Sequence, residues 1–255
     1  MKTHARVRTF LLALAGGLAL VVALPGSAFA APPRALPADA DALERRFEPV
    51  YDYDTDGCYP TPAIGPDGTL NGGLRPTGSL SGGCRDQSDL DNANGYSRAK
   101  CNNGWCGIVY ALYFEKDQAV AHIESGHRHD WESVVVWVQD DQAKYVSTSA
   151  HGGYTTYSAG RVPWESGTHA KIVYHKDGVS THAFRLAKAG EQPENHYKAW
   201  QYVDLVGWNG YPATWLRDRL GDADWGRANF PLKDANFGRN LEKAKPSGIP
   251  FDPYA

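Results

Sequence analysis

Short β-branched and aromatic runs separated by turn residues fill the chain between Ile108 and Ala187, a rhythm that predicts a mainly β protein. The runs are Ile108–Phe114, Glu132–Val138, Lys144–Ser149, Thr168–His175 and Thr181–Ala187. Alternation puts Val134, Val136 and Val138 on one face of their strand and Val135 and Trp137 on the other. Apolar side chains on both faces need cover on both, so the pattern implies a β-sandwich or a sheet with helices laid on it. A helical pattern comes late, at Pro212–Leu220, where Leu216 and Leu220 lie one turn apart and Gly221 offers a stop. A shorter helix is predicted from Asp41 to Phe47.

The remaining segments read differently. Residues 1–30 have a basic start at Lys2, Arg6 and Arg8 and an apolar run from Phe10 to Leu24, and end with Ala28-Phe29-Ala30 as a small-residue cleavage site. That run is too short for a comfortable membrane span, so the segment reads as a secretion signal peptide. No later apolar run reaches spanning length, and the expected product is a secreted, extracellular protein. Residues 31–48 read as a proline-rich tether plus the short helix, and residues 49–255 as a single domain. Between Tyr51 and Ala99, glycine, proline and asparagine come too densely for regular elements. No internal repeat is found.

Charge narrows the choice of partners. The chain carries 26 Lys and Arg against 29 Asp and Glu, and removing residues 1–30 takes away three cations and no acid. Such acidity excludes nucleic acid as an expected partner, and no cluster of basic residues points to anionic lipid. Four cysteines in an exported chain suggest two disulfides, with three connectivities open. The pairing Cys58–Cys84 with Cys101–Cys106 is favoured, because the first bridge would staple the glycine-rich loop around Asn71-Gly72-Gly73. A zinc knuckle is disfavoured by the spacing and the oxidising compartment.

The densest chemistry is Gly126-His127-Arg128-His129-Asp130-Trp131-Glu132. Burying such a cluster costs several kcal/mol unless its charges are paired or bind a cation. It leads straight into a strand, which rules out a helical zinc-protease site. In a straight strand Asp130 and Glu132 share one face and His127 takes the other, so a shared ion requires a bend, for which Gly126 and the residues before it are candidates. One imidazole and two carboxylates form an oxygen-rich set suited to magnesium, calcium or manganese, and to zinc with added water. Asp117, at the end of the preceding strand, could return beside His127 but by spacing alone reads as a turn residue. His129 is expected to orient a ligand or to pack inward, Arg128 to pair with a local acid, and Trp131 to join the core; the other histidines read as structural. A second acidic run, Asp52-Tyr53-Asp54-Thr55-Asp56-Gly57, matches the first half of a calcium loop, but Pro60, Pro62 and Ala63 exclude an EF-hand. The alternatives there are a small calcium site built from Asp52, Asp54 and Asp56, or a solvated turn.

The heptapeptide is identical to the signature of the necrosis- and ethylene-inducing peptide-like proteins (NLPs). The resemblance continues through Tyr113–Asp117, Ser149-Ala150-His151-Gly152 and Asp224–Asn229. The second cysteine pair and the acidic run before Cys58 resemble the subgroup with two disulfides and an extra calcium motif. The resemblance implies a β-sandwich flanked by helices, similar to actinoporins and fungal lectins, and a non-enzymatic secreted toxin. It implies recognition of the sugar head groups of plant glycosylinositol phosphorylceramides through a bound divalent cation, with membrane damage and necrosis. The family's cation ligands fall on Asp117, His127, Asp130 and Glu132, which promotes Asp117 from turn residue to ligand. A further acidic ligand and a sugar-contacting tryptophan align with Asp204 and Trp200. The alternatives are a metal-dependent hydrolase, with Glu132 as base and His129 as proton donor, or a non-toxic NLP-like binding protein.

Overall fold

The computed structural model describes residues 31–255, so the expected secretion signal lies outside the described residues. Helix α1 (Ala42–Arg46), strand β1 (Val50–Tyr53) and helix α2 (Gln87–Leu90) precede the main strands. These are β2 (Asn94–Asn102), β3 (Trp105–Gln118), β4 (Gly126–Gln139), β5 (Gln142–Ala150), β6 (Gly153–Ser158), β7 (Trp164–Glu165), β8 (His169–Lys176), β9 (His182–Leu186) and β10 (Asp204–Gly207). Helices α3 (Thr214–Asp222) and α4 (Asp234–Ala244) follow. The larger sheet runs β10-β2-β3-β4-β5-β6, antiparallel except where β10 joins β2. In the smaller sheet β8 pairs with β1, β7 and β9.

The two faces of β4 explain the layering. Val134, Val136 and Val138 pack with Tyr110, Leu112, Phe114, Ile172 and Tyr174 between the sheets. Val135 and Trp137 pack on the opposite face with Leu216, Leu220, Phe237 and Leu241 of α3 and α4. Each fully buried side chain of this size is worth roughly 1.5–3 kcal/mol over exposure, so neither face of β4 can be left open. The result is a mainly β sandwich flanked by helices, as the alternation of apolar positions predicts. Phe114 stacks on Tyr174 with ring centroids 3.8 Å apart, fixing β3 against β8 below the future site.

The structure corrects two local readings. Residues 31–40 are docked rather than a loose tether: Leu36 is fully buried, its N–H donates to Asn94 Oδ1 at 2.8 Å, and Asp39 N–H donates to Leu205 O at 2.9 Å. An extended, proline-rich segment has few N–H groups to satisfy and can lie along a sheet edge. Gly221 does not stop α3, which continues to Asp222. Strands β2, β6 and β10 and helix α4 carry too few apolar alternations, or too many polar residues, to announce themselves. The disulfides Cys58–Cys84 and Cys101–Cys106 both form. The loop closed by the first also supplies carbonyls to the buried Lys116, whose Nζ donates to Ser79 O at 2.9 Å.

Candidate functional site

The signature residues lie where the β3–β4 hairpin leaves the sandwich, with Asp117 opposite His127 and Phe114 opposite Asp130. The required bend is at His129, whose φ is +61°. A left-handed residue breaks side-chain alternation between His127 and Asp130, and side-chain contacts hold this one in place. The Tyr113 hydroxyl and His129 Nδ1 are 2.6 Å apart, and the imidazole packs against Trp225 with centroids 5.1 Å apart. Gly126 plays another part: its φ is +95°, and any side chain there would collide with the Asp117 carbonyl. Ligand-capable atoms of Asp117, His127 and Asp130 thereby fall within 4.8 Å of one another.

Each member has a defined support. His127 Nδ1 contacts the His129 carbonyl at 2.7 Å; a carbonyl can only accept, so Nδ1 carries the proton and Nε2 keeps its lone pair toward the cleft. Asp117 Oδ1 accepts the backbone N–H and Nδ1–H of His182 at 2.9 and 2.7 Å. Asp130 Oδ2 accepts the Tyr174 hydroxyl at 2.9 Å, and Glu132 Oε2 accepts the Ser149 hydroxyl. Asp117, Asp130 and Glu132 are all buried.

These supports do not cancel the accumulated charge. Burial first, then repulsion from Asp117, holds the Asp130 carboxyl well above the usual carboxylate range. Burial and the neighbouring Asp130 do the same to Glu132. Burial pulls the His182 imidazole down, but its hydrogen bonds to Asp117 and Asp56 outweigh that and raise its pKa to about 9. A site that crowds carboxylates against their own repulsion is one that a hard divalent cation would relieve, and its oxygen-rich donor set fits magnesium or calcium. The group forms the floor of an open cleft of about 530 Å³, walled on the far side by α4 and the segment around Arg227.

Other predicted residues are placed elsewhere. His129 packs inward, and its carbonyl holds the His127 imidazole; burial, then Arg128, depress its pKa to about 4. Arg128 does not pair with an acid: its Nη1 donates to the Gly72 and Gly73 carbonyls at 2.9 and 3.3 Å. Trp131 is buried in the core. Trp200 lies beneath Lys171, 5.3 Å from its Nζ, in a separate shallow cleft. Asp204 opens β10 opposite Asn94, at the edge of the large sheet. Neither is among the residues that line the cation cleft. The acidic run is not gathered into one site either. Asp52 accepts the Glu194 and Asn195 N–H groups, Asp54 faces Arg185 at 3.4 Å, and Asp56 lies 3.7 Å from His182. The supporting roles of His182, Tyr174 and Ser149 went unseen in the sequence because each comes from a different strand, although all three fall on predicted strands.

A two-sheet sandwich with flanking helices and a polar cleft at one end places the molecule in the actinoporin-like class of toxin folds. The chain belongs to the necrosis-inducing protein (NPP1) family, whose model matches residues 41–244. It is 36% identical over 241 residues to the necrosis-inducing protein NPP1 of Phytophthora nicotianae, covering 91% of this chain and 95% of the relative. NLP effector protein 10 of Phytophthora capsici is 35% identical, with 74% of this chain and 77% of the relative covered. Among solved structures, NLPPya in complex with glucosamine superposes with a TM-score of 0.70 at 33% identity, over 84% of this chain and 96% of that one. The non-toxic HaNLP3 protein superposes equally well, with a TM-score of 0.70 at 30% identity, over 85% and 98%. The relatives matched are necrosis-inducing and effector proteins that do not act as enzymes, which sets the hydrolase alternative aside. Among the described residues, no helix is long and apolar enough to cross a membrane.

Proposed function

We propose that this protein is a secreted, divalent-cation-dependent, lectin-like cytolysin. It recognises sugar head groups of plant plasma-membrane sphingolipids from outside the cell and damages the membrane, causing necrosis. Asp117, His127, Asp130 and Glu132 are the ligand set, for magnesium or calcium. The observation that carries the reading is the convergence of Asp117, His127 and Asp130 within 4.8 Å at the floor of an open cleft, in a chain similar to proteins solved with bound amino sugars.

When bound, the cation would supply a hard coordination centre for sugar hydroxyls. The chain's own residues do the rest. His127 is held by the His129 carbonyl with Nε2 facing the cleft, Asp117 is oriented by His182, and Tyr174 fixes Asp130. Such outer hydrogen bonds orient ligands and tune their affinity.

The test is leaf infiltration with purified protein, run beside Glu132→Ala and paired with leakage from vesicles containing glycosylated plant sphingolipid. Wild type is expected to cause necrosis and cation-dependent leakage, and Glu132→Ala to cause neither. A wild-type protein that binds cation but leaves both leaf and vesicle intact would establish the non-toxic binding protein instead.

A further inference from the structure

A second cleft, of about 360 Å³, lies away from the cation site. Trp200, Pro163 and Pro193 line it together with Lys171, Lys188 and Lys198. The Ala187 N–H, donating to the Lys171 carbonyl at 2.9 Å, closes the β8–β9 pair at this end. Lys176 and His182 close the other end, where His182 holds Asp117. The rise along β8 from Lys171 to Lys176 is about 17 Å.

The walls of this cleft are irregular backbone fixed by buried or doubly held charge. Asp52, fully buried, accepts the Glu194 and Asn195 N–H groups, and Asn195 Nδ2 donates to the Ala199 carbonyl at 2.7 Å, next to Trp200. The same anchor keeps Lys198 left-handed, with φ +52°, its N–H donating to Asn195 O at 3.0 Å. On the Lys188 side, Arg185 donates to both oxygens of Glu191 at 2.6 and 2.8 Å, and Glu191 Oε2 also accepts the Lys188 N–H at 2.6 Å. The one carboxylate in the lining is therefore neutralised already, and the Gly190 carbonyl is taken by Gln192 Nε2 at 3.1 Å. The ammonium groups are less well answered. Lys171 meets Glu165 at 2.9 Å beside the Trp200 ring, and Lys198 Nζ meets the Glu194 carbonyl at 3.2 Å. Among the described residues, neither Lys188 nor Lys198 makes an ion pair. A preorganised cleft with an aromatic surface and surplus cations calls for a ligand that is both ring-shaped and anionic.

We propose that this cleft binds an oligosaccharide of uronic acids. The indole and the proline rings take the C–H face of a pyranose, and Lys188 and Lys198, with Lys171, meet the carboxylates. A neutral sugar would leave the ammonium groups unanswered, and a bare anion would leave the indole unused. Site and ligand both differ from the head-group contact that the NLP resemblance implies for Trp200, which would need that side chain in the cation cleft. The choice of polymer rests on the reading of a secreted protein acting at plant membranes: engagement through the cation cleft would hold this one back from the bilayer, among extracellular polysaccharides.

The experiment is an NMR titration of isotope-labelled protein with trigalacturonate, maltotriose and inorganic phosphate, in chelator so that no cation occupies the other cleft. Trp200→Phe assigns the Trp200 indole N–H signal by its loss. Trigalacturonate is expected to shift that signal and to bind about tenfold more tightly than maltotriose or phosphate. Lys188→Gln/Lys198→Gln, at two exposed positions, is expected to weaken trigalacturonate by about tenfold. Equal affinity for the three ligands, a Trp200 signal that does not move, or affinity that survives the double substitution would overturn the proposal and leave the cation-dependent reading standing. A protein that spares leaf and vesicle yet shows the expected shift and preference would remove that reading and keep this site.

Discussion

Two acid-rich stretches of this molecule look alike in sequence and have opposite characters in the fold. In the run from Asp52 to Asp56 every acid is answered separately. Asp52 is fully buried, yet it accepts the Glu194 and Asn195 N–H groups and Asn195 Nδ2, the last at 2.9 Å. Asp54 meets Arg185 and Asp56 meets His182. At the cleft, Asp117, Asp130 and Glu132 share one cavity, and two of them rely on neutral hydroxyls. A hydroxyl donates one hydrogen bond but no charge, so repulsion among the carboxylates persists. Acid density therefore does not mark a cation site; acids left without compensating charge do. His182 touches both regions, holding Asp117 with its backbone and Nδ1 and facing Asp56 through Nε2.

The contrast predicts opposite responses to the same substitution. Asp130→Asn removes a ligand and a repelling charge, so cation affinity in calorimetry should fall by on the order of 100-fold. The same variant should melt at a higher temperature than wild type in chelator, where only the repulsion is lost. Asp52→Asn should do the reverse. Keeping the amide oxygen where Oδ1 accepts from Asn195 puts the NH₂ where Oδ2 accepts the Glu194 N–H, so donor is set against donor at Glu194, costing roughly 2 kcal/mol in denaturant unfolding, with cation affinity unchanged. If Asp52→Asn also weakened the cation, the two regions would act as one network through His182 and the distinction would collapse.

Residue patterns disclosed the fold better than they disclosed the site. The double-faced alternation at Val134–Val138 is enough to demand a layer on each side, and the structure supplies the small sheet and the helices. The heptapeptide is visible because its members are consecutive. Its bend was misplaced, since nothing local marks His129 as left-handed; Tyr113 and Trp225, remote in sequence, stabilise that conformation. Asp117 entered the candidate set through a likeness to a family, and its place opposite His127 follows from the hairpin register. Trp200 and Asp204 stand outside the lining of the cleft, and a tryptophan followed by an acid carries no information about which end of the sandwich it occupies. The wall that α4 gives the cleft was missed because the helix itself was.

Glu48 supplies a third case, a buried carboxylate standing apart from both regions, and the smallest expected effect. Only 7% of it is exposed, and the Val203 N–H reaches it at a long 3.5 Å. Burial, helped by Asp204, raises its pKa from 4.5 to about 7. The folded state therefore holds this proton more tightly than the unfolded chain does. The associated stability is complete below pH 4.5 and is lost as pH rises through about 7. Glu48→Gln keeps an acceptor for Val203 without the charge, so it should match wild type near pH 4 and exceed it near pH 8 by roughly 1–2 kcal/mol. Parallel stability curves for the two proteins across that range would show that the Glu48 carboxylate is not penalised. Burial raises both kinds of acid, but only the cleft acids share a cavity with further ligand-capable groups; only Asp130→Asn, and not Glu48→Gln, should therefore alter the response to magnesium or calcium.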